Sequence, residues 1–147
     1  MKNILITGSA GLVGQNLVTR LKKRNDLKII GIDKHKENNK IFINTHPEIN
    51  LVEADLSELS GWEKHFEDID TVIINHAQIS SLNKKDFVDN NVVATKNVLE
   101  ACKKYSINHV ILISSSVVFS EANDFYTNTK TEQEKVIDKY EIPFTVL

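Results

Sequence analysis

Tyr126 and Lys130 stand four positions apart in a segment of helical period, so one turn brings an ammonium beside a phenol. A positive charge there favours the phenolate over the phenol, whose ordinary pKa is about 10, and makes the tyrosine a base for the proton of an alcohol. Ser114, Ser115 and Ser116 lie a short loop upstream. At the other end of the chain, Gly8, Gly11 and Gly14 punctuate Thr7-Gly8-Ser9-Ala10-Gly11-Leu12-Val13-Gly14, directly behind the apolar run Ile4-Leu5-Ile6. A strand that turns tightly into a helix uses such glycines for the bend, for ligand approach and for packing helix on strand. The helix start then offers free N–H groups and a positive dipole end to a diphosphate. Asp33, closing the next apolar run, has the spacing of an acid that accepts hydrogen bonds from an adenosine ribose. A base at one end and a diphosphate cradle at the other are the parts of a site that takes a proton from an alcohol beside a bound dinucleotide.

Positioning these groups requires a frame, and the chain has the pattern of one. Short β-branched runs alternate with longer helical segments, which predicts an α/β fold with a doubly wound parallel sheet. Strands are expected at Asn3–Thr7, Lys28–Asp33, Leu51–Glu53, Thr71–Asn75, His109–Ser114 and Phe144–Leu147, and helices at Leu12–Arg24, Ser60–Phe66, Lys84–Tyr105 and Tyr126–Tyr140. The third helix has the clearest stripe, with Val88, Asn91, Val92, Thr95, Val98, Leu99 and Cys102 at steps of three and four. Right-handed crossovers give the Rossmann strand order 3-2-1-4-5-6, with a crevice at the carboxyl ends of strands 1 and 4. Residues 34–50, with Asn38-Asn39-Lys40 and Pro47, read as a loop carrying a short edge strand at Ile41–Ile43.

A chain of 147 residues implies one domain, 1–147, large enough to bury a core without disulfide or metal. Its apolar share of 41% and charged share of 26% place it among globular proteins, and a net charge of -2 gives no electrostatic reason to expect nucleic acid. The longest aliphatic run, Val110–Ile113, is far too short for a bilayer, and Met1-Lys2-Asn3 opens no signal peptide, so no membrane and a cytoplasmic location are expected. Cys102 is the only cysteine and falls on an apolar stripe, as a core thiol does. His35, His46, His65, His76 and His109 lack ligand spacing, so no metal is expected.

With the glycine turn and Asp33, Ala54-Asp55-Leu56 after the third strand and Asn75-His76-Ala77-Gln78 after the fourth, the chain resembles the extended short-chain dehydrogenase/reductase family. Its best-known members are NAD-dependent nucleotide-sugar epimerases and dehydratases. The family's T-G-x-x-G-x-x-G motif is matched in full, and Asn91-Val92-Val93-Ala94-Thr95-Lys96-Asn97-Val98-Leu99-Glu100-Ala101 is similar to its helix 4 pattern. The resemblance implies that Leu12 and Val13 approach the cofactor by backbone. It also implies that Asp55 reaches the adenine amino group beside Leu56, that Ala77 lies near the nicotinamide-side ribose, and that Asn91 is a cofactor contact. Tyr126 is then the base and Lys130 binds the nicotinamide ribose. Ser115, four residues before Phe119 where the family has tyrosine, holds the substrate hydroxyl, with Ser114 and Ser116 as alternatives.

NAD is expected over NADP because Asp33 repels a 2′-phosphate, although Lys34, His35 and Lys36 lie close enough to blunt the preference. The implied substrate is a nucleotide sugar or another small carbonyl or alcohol compound. Ser116 and Val117 stand where dehydratases of the family carry an Asp-Glu pair, which favours epimerisation or simple oxidoreduction over dehydration. Family members commonly dimerise through the helices that begin near Asn91 and Tyr126, so a homodimer is expected. Two features depart from the pattern. Tyr126 follows Ser115 by only eleven positions, and Ile142–Leu147 looks like the family's sixth strand, after which members continue into an arginine and a substrate-binding lobe missing here. The chain therefore reads as the NAD-binding half of an epimerase or reductase. The alternatives are an NAD-binding module without turnover and a compact reductase of small carbonyls.

Overall fold

The protein is described by a computed structural model covering residues 1–147. Its sheet is built from β1 (Lys2–Thr7), β2 (Leu27–Asp33), β3 (Asn50–Glu53), β4 (Thr71–Ile74), β5 (His109–Leu112) and β6 (Phe144–Val146). All pairings are parallel, in the order β3-β2-β1-β4-β5-β6 that right-handed crossovers predict. The chain reverses direction of growth between β1 and β4, so their carboxyl ends flank the crevice.

Side chains alternate across the sheet. Leu5, Val72, Ile74, Val110 and Leu112 point into the larger core, while Ile4, Ile6, Ile29 and Ile73 point into the smaller. α4 (Ala94–Lys104), α5 (Phe125–Ile137) and the 3₁₀ turn Trp62–Phe66 cover the first face through Val98, Leu99, Cys102, Val136, Ile137, Trp62 and Phe66. α1 (Leu12–Leu21) and α2 (Lys36–Thr45) cover the second through Val18 and Phe42. Cys102 is a fully buried core thiol. Over β6 the sheet is left partly open, with Phe144 37% and Val146 38% exposed.

Residues 36–45 form α2 rather than a loop with an edge strand. Ile41 and Ile43 are 56% and 51% exposed, whereas Phe42 between them is buried and His46 follows one turn later. Two parallel strands need a crossover of about a dozen residues, usually a helix, and that demand outweighs the poor helix propensity of Asn38-Asn39. Asn39 is used rather than merely tolerated: its Nδ2 donates to Asp33 O at 3.1 Å and Glu53 Oε2 at 3.4 Å. The expected helix at 60–66 is only the tight 3₁₀ turn.

The expected long helix at 84–105 is three segments. α3 (Lys84–Phe87) passes through a π-helical stretch, Val88–Val93, into α4. Each wide π turn holds an extra residue. The buried position upstream of it is accordingly Phe87 and not Val88.

Candidate functional site

The glycine turn joins β1 to α1. Gly8 donates its amide to Ile32 O at 2.8 Å and has φ +63°, the left-handed region, where a Cβ would stand 2.7 Å from His76 Cα. In the first turn of α1, a Cβ on Gly14 would stand 2.3 Å from Gly8 O. The protein's own packing demands both glycines. Gly11 differs, because its nearest neighbour to an added Cβ is Gly8 O at 3.4 Å and the residue faces a cleft. α1 starts there with no capping side chain and no acid in its first turn, leaving its first amides without intrahelical acceptors. Leu12 and Val13, the next residues, line the cleft while 82% and 57% exposed. A helix N-terminus with an open approach and no competing side chain fits a diphosphate.

The cleft has a volume of about 420 Å³, within the range of small-ligand sites. It runs past Gly8, Gly11, Leu12 and Val13 to Asp33, Asp55 and Leu56 on one side, and to Ala77, Tyr126 and Lys130 on the other. Asp33 is buried and held on both oxygens: Oδ2 accepts from Ala10 N at 3.1 Å and Oδ1 from His35 N at 3.0 Å. The acid is thereby tied to the glycine turn.

Asp55 accepts from Ser57 N at 2.9 Å, Ser57 Oγ at 2.7 Å and Lys34 Nζ at 3.0 Å. Burial pushes its carboxyl up, and the hydrogen bonds from Ser57 and Lys34 outweigh this and hold it below the usual range. Lys34 also donates to Asn90 Oδ1. Its ammonium is thus committed inside the cleft and faces away from the role of a free cation beside Asp33.

At the far end, Tyr126 is half-buried at the cleft wall and Lys130, one turn later on α5, is buried. Lys130 Nζ donates to Ile113 O at 2.8 Å and to Gln133 Oε1. Burial pulls its pKa down to about 8, with Glu134 opposing. Ser114 lines the cleft and donates to Glu134 Oε1.

Three expected site residues lie off the cleft wall. Gly14 packs behind the glycine turn. Ser115 caps the 3₁₀ turn Ser116–Phe119 by accepting from Val117 N at 3.4 Å. Asn91 is wholly buried and clamps the backbone after β4, accepting from Gln78 N at 2.6 Å and donating to Gln78 O at 3.1 Å and Thr129 Oγ1 at 3.0 Å. It positions the loop that carries Ala77.

Sequence reasoning assigned no role to Asn90, His76 or Gln133. Gln133 had a signal: with Thr129, Val136 and Ile137 it sits at helical spacing on the buried face of α5, where a polar residue needs a partner. His76 had another, its place at the carboxyl end of a central strand. No group of three or more His, Cys, Asp or Glu side chains gathers as a metal site, and no helix is long and apolar enough to cross a membrane.

Residues 4–142 match the NAD-dependent epimerase/dehydratase family. A Methanocaldococcus jannaschii relative provisionally named a UDP-glucose 4-epimerase is 36% identical over 126 residues, 82% of this chain and 40% of its own length. A dTDP-D-glucose 4,6-dehydratase of Dictyostelium discoideum is 32% identical over 161 residues, 93% of this chain and 36% of its own. Among solved structures, a UDP-glucuronic acid 4-epimerase from Bacillus cereus in complex with NAD superposes with a TM-score of 0.85 at 25% identity, over 98% of this chain and 55% of that one. The Bordetella bronchiseptica enzyme WbmG in complex with NAD shares the fold, with a TM-score of 0.88 at 18% identity, over 98% and 51% of the two chains. The chain spans about half, or less, of each of these proteins.

Proposed function

Because the chain belongs to the NAD-dependent epimerase/dehydratase family, we propose that its cleft binds NAD and that it forms the cofactor half of a nucleotide-sugar epimerase or reductase. The observation that carries this reading is the single cleft in which an uncapped helix start faces Tyr126 and Lys130. The amides opening α1 receive the diphosphate, Asp33 the adenosine ribose and Asp55 the adenine amino group. NAD, when bound, accepts the hydride of a secondary alcohol.

The chain's own residues handle the proton. Tyr126, on the cleft wall, takes it from the substrate hydroxyl, and the buried Lys130 one turn later on α5 supplies a positive charge at that end of the cleft. A serine hydroxyl orients the substrate: Ser115 by resemblance, with Ser114 supported by its place on the cleft wall. A nicotinamide held there would also supply the hydride that, delivered to the other face of the ketone, gives the epimer. NAD is favoured over NADP because Asp33 is fixed by two amides and Lys34 is engaged by Asp55 and Asn90. The same reading makes the protein a cytoplasmic homodimer through α4 and α5, which light scattering and cross-linking of the purified protein would read.

Calorimetric titration with NAD+ and NADP+ tests the cleft: binding of neither removes the proposal, and tighter NADP+ reverses the selectivity. A second reading, an NAD-binding module without turnover, is favoured by the engagement of Ser115 as a turn cap. Addition of UDP-, dTDP- or GDP-sugars to the NAD-loaded protein separates the two. Appearance of the reduced-nicotinamide absorbance or of an epimeric sugar supports the enzyme, and silence with all of them supports the module.

A further inference from the structure

Between β1, β4, α4 and α5 a set of polar side chains, all buried but the half-buried His76 on the cleft wall, runs in a single line. Lys130 Nζ meets Gln133 Oε1, and Gln133 Nε2 donates to Thr95 Oγ1 at 2.7 Å. Thr95 Oγ1 is 3.3 Å from His76 Nε2, and His76 Nδ1 is 2.8 Å from Thr7 Oγ1, which donates to Ile73 O at 3.3 Å. Thr7, Thr95, Gln133 and Lys130 are all buried. Apolar residues of like volume would pack this space at no desolvation cost, whereas a polar line is stable only when each member is satisfied.

The direction of the hydrogens as far as Thr95 follows from one end. An ammonium can only donate, so Gln133 turns its carbonyl oxygen to Lys130 and its amide nitrogen to Thr95. Thr95 accepts that hydrogen and gives its own to His76 Nε2. With Thr95 donating to Nε2, His76 is neutral and carries its hydrogen on Nδ1 toward Thr7 Oγ1, which also accepts from Asn75 N at 3.0 Å and His76 N at 3.4 Å and donates to Ile73 O. An imidazolium would place a second donor against Thr95 and strand the threonine's hydrogen.

We propose that the Gln133–Thr95–His76 line is the positioning device of Lys130, holding its ammonium at the Tyr126 end of the cleft and tying it to Thr7, the residue before the glycine turn. Its catalytic meaning rests on the reading of the cleft as a dinucleotide site. Gln133, Thr95 and His76 are positioning residues that act through Lys130 and through the backbone before Gly8. The charges around the line agree with it. Burial first, then Lys130 and Lys34, push the His76 pKa down to about 3 against the opposing Asp55. Lys130, with Glu134 beside it and a pKa of about 8, stays charged at neutral pH.

Nitrogen-detected NMR of the 147-residue chain tests the proposal without turnover. In the unaltered protein His76 is expected as the neutral Nδ1–H tautomer with no titration between pH 5 and 8. In Gln133→Glu a carboxylate accepts from both Lys130 and Thr95, so the threonine's hydrogen leaves His76. The imidazole proton then moves to Nε2, and the Lys130 titration rises by about one unit. Thr95→Val cuts the line in a second way and weakens NADH binding about fivefold, the worth of one hydrogen bond, while Thr95→Ser restores both the tautomer and the affinity. An imidazole that titrates between pH 5 and 8, or that keeps its Nδ1 proton in Gln133→Glu, overturns the proposal. Failure of NADH to bind the unaltered chain would instead remove the dinucleotide reading, and the tautomer would still decide the line.

Discussion

The two ends of the cleft are built from different materials. At the glycine turn the cleft-facing groups are backbone amides, set by Gly8, Gly11 and Gly14 within one strand–turn–helix unit. At the Tyr126 end they are side chains whose places depend on residues from β1, β4, α4 and α5 together. Backbone geometry is short-range and tolerates few residue types, so it leaves a local signature. A side-chain line is long-range and leaves only scattered polar residues in otherwise apolar stripes.

The largest effect is expected where the backbone itself is crowded. Gly14→Val forces side-chain atoms into a space where even a Cβ would lie 2.3 Å from Gly8 O, so the variant should lose about 3 kcal/mol in urea denaturation together with dinucleotide binding. Unchanged stability would mean that the turn is not close-packed. Next comes acid sensitivity at the other end. His76 has a folded pKa of about 3 against 6.5 unfolded, so below 6.5 the unfolded chain takes up the proton that the folded chain refuses. Its contribution is complete above pH 6.5 and falls away toward pH 3. Between pH 7 and 5 the protein should lose about 2 kcal/mol more than His76→Asn does. Parallel pH profiles of the two proteins would show that the imidazole is not held neutral.

Smaller effects separate binding from folding. Asp33→Asn keeps an acceptor for Ala10 N but removes the charge proposed to receive the ribose, and NAD+ affinity should fall about tenfold by calorimetry. A gain in NADP+ binding would sharpen the assignment of Asp33 to selectivity, and no change in either cofactor would break it. Gly11→Ala is the mildest. Its Cβ comes no closer than 3.4 Å to protein, so stability should change by less than about 0.5 kcal/mol while NAD+ affinity drops severalfold. Loss of stability with affinity retained would place the methyl group against protein and not in the cleft.

Where the sequence was hard to read, the reason was the same in each region. Pro47 and the asparagines of 38–39 suggest a loop, yet α2 forms because Phe42 has a core to enter and Asn39 has the ends of β2 and β3 to bind. The stripe at 84–105 is legible downstream of Asn91, but the π-helical stretch shifts its phase so that Phe87 is buried and Asn90 faces Lys34. Ser115 is selected by its distance from Phe119 with Ser114 as an alternative; in the fold Ser114 lines the cleft and Ser115 caps the turn Ser116–Phe119.

The amino-acid order alone determined the parallel sheet, its strand order, the glycine turn and the spacing that brings Asp33 to it, because alternating periods, crossover handedness and glycine stereochemistry act over one or two elements. Only the tertiary structure decided that Lys34 closes on Asp55 and Asn90, that Asn91 serves the backbone of Gln78, and that Lys130 is joined through Gln133, Thr95 and His76 to Thr7. Apart from Lys130 and Gln133, one turn of α5 apart, those partners lie 13 to 69 residues from one another, and a polar side chain inside a protein takes whichever partner folding brings within reach.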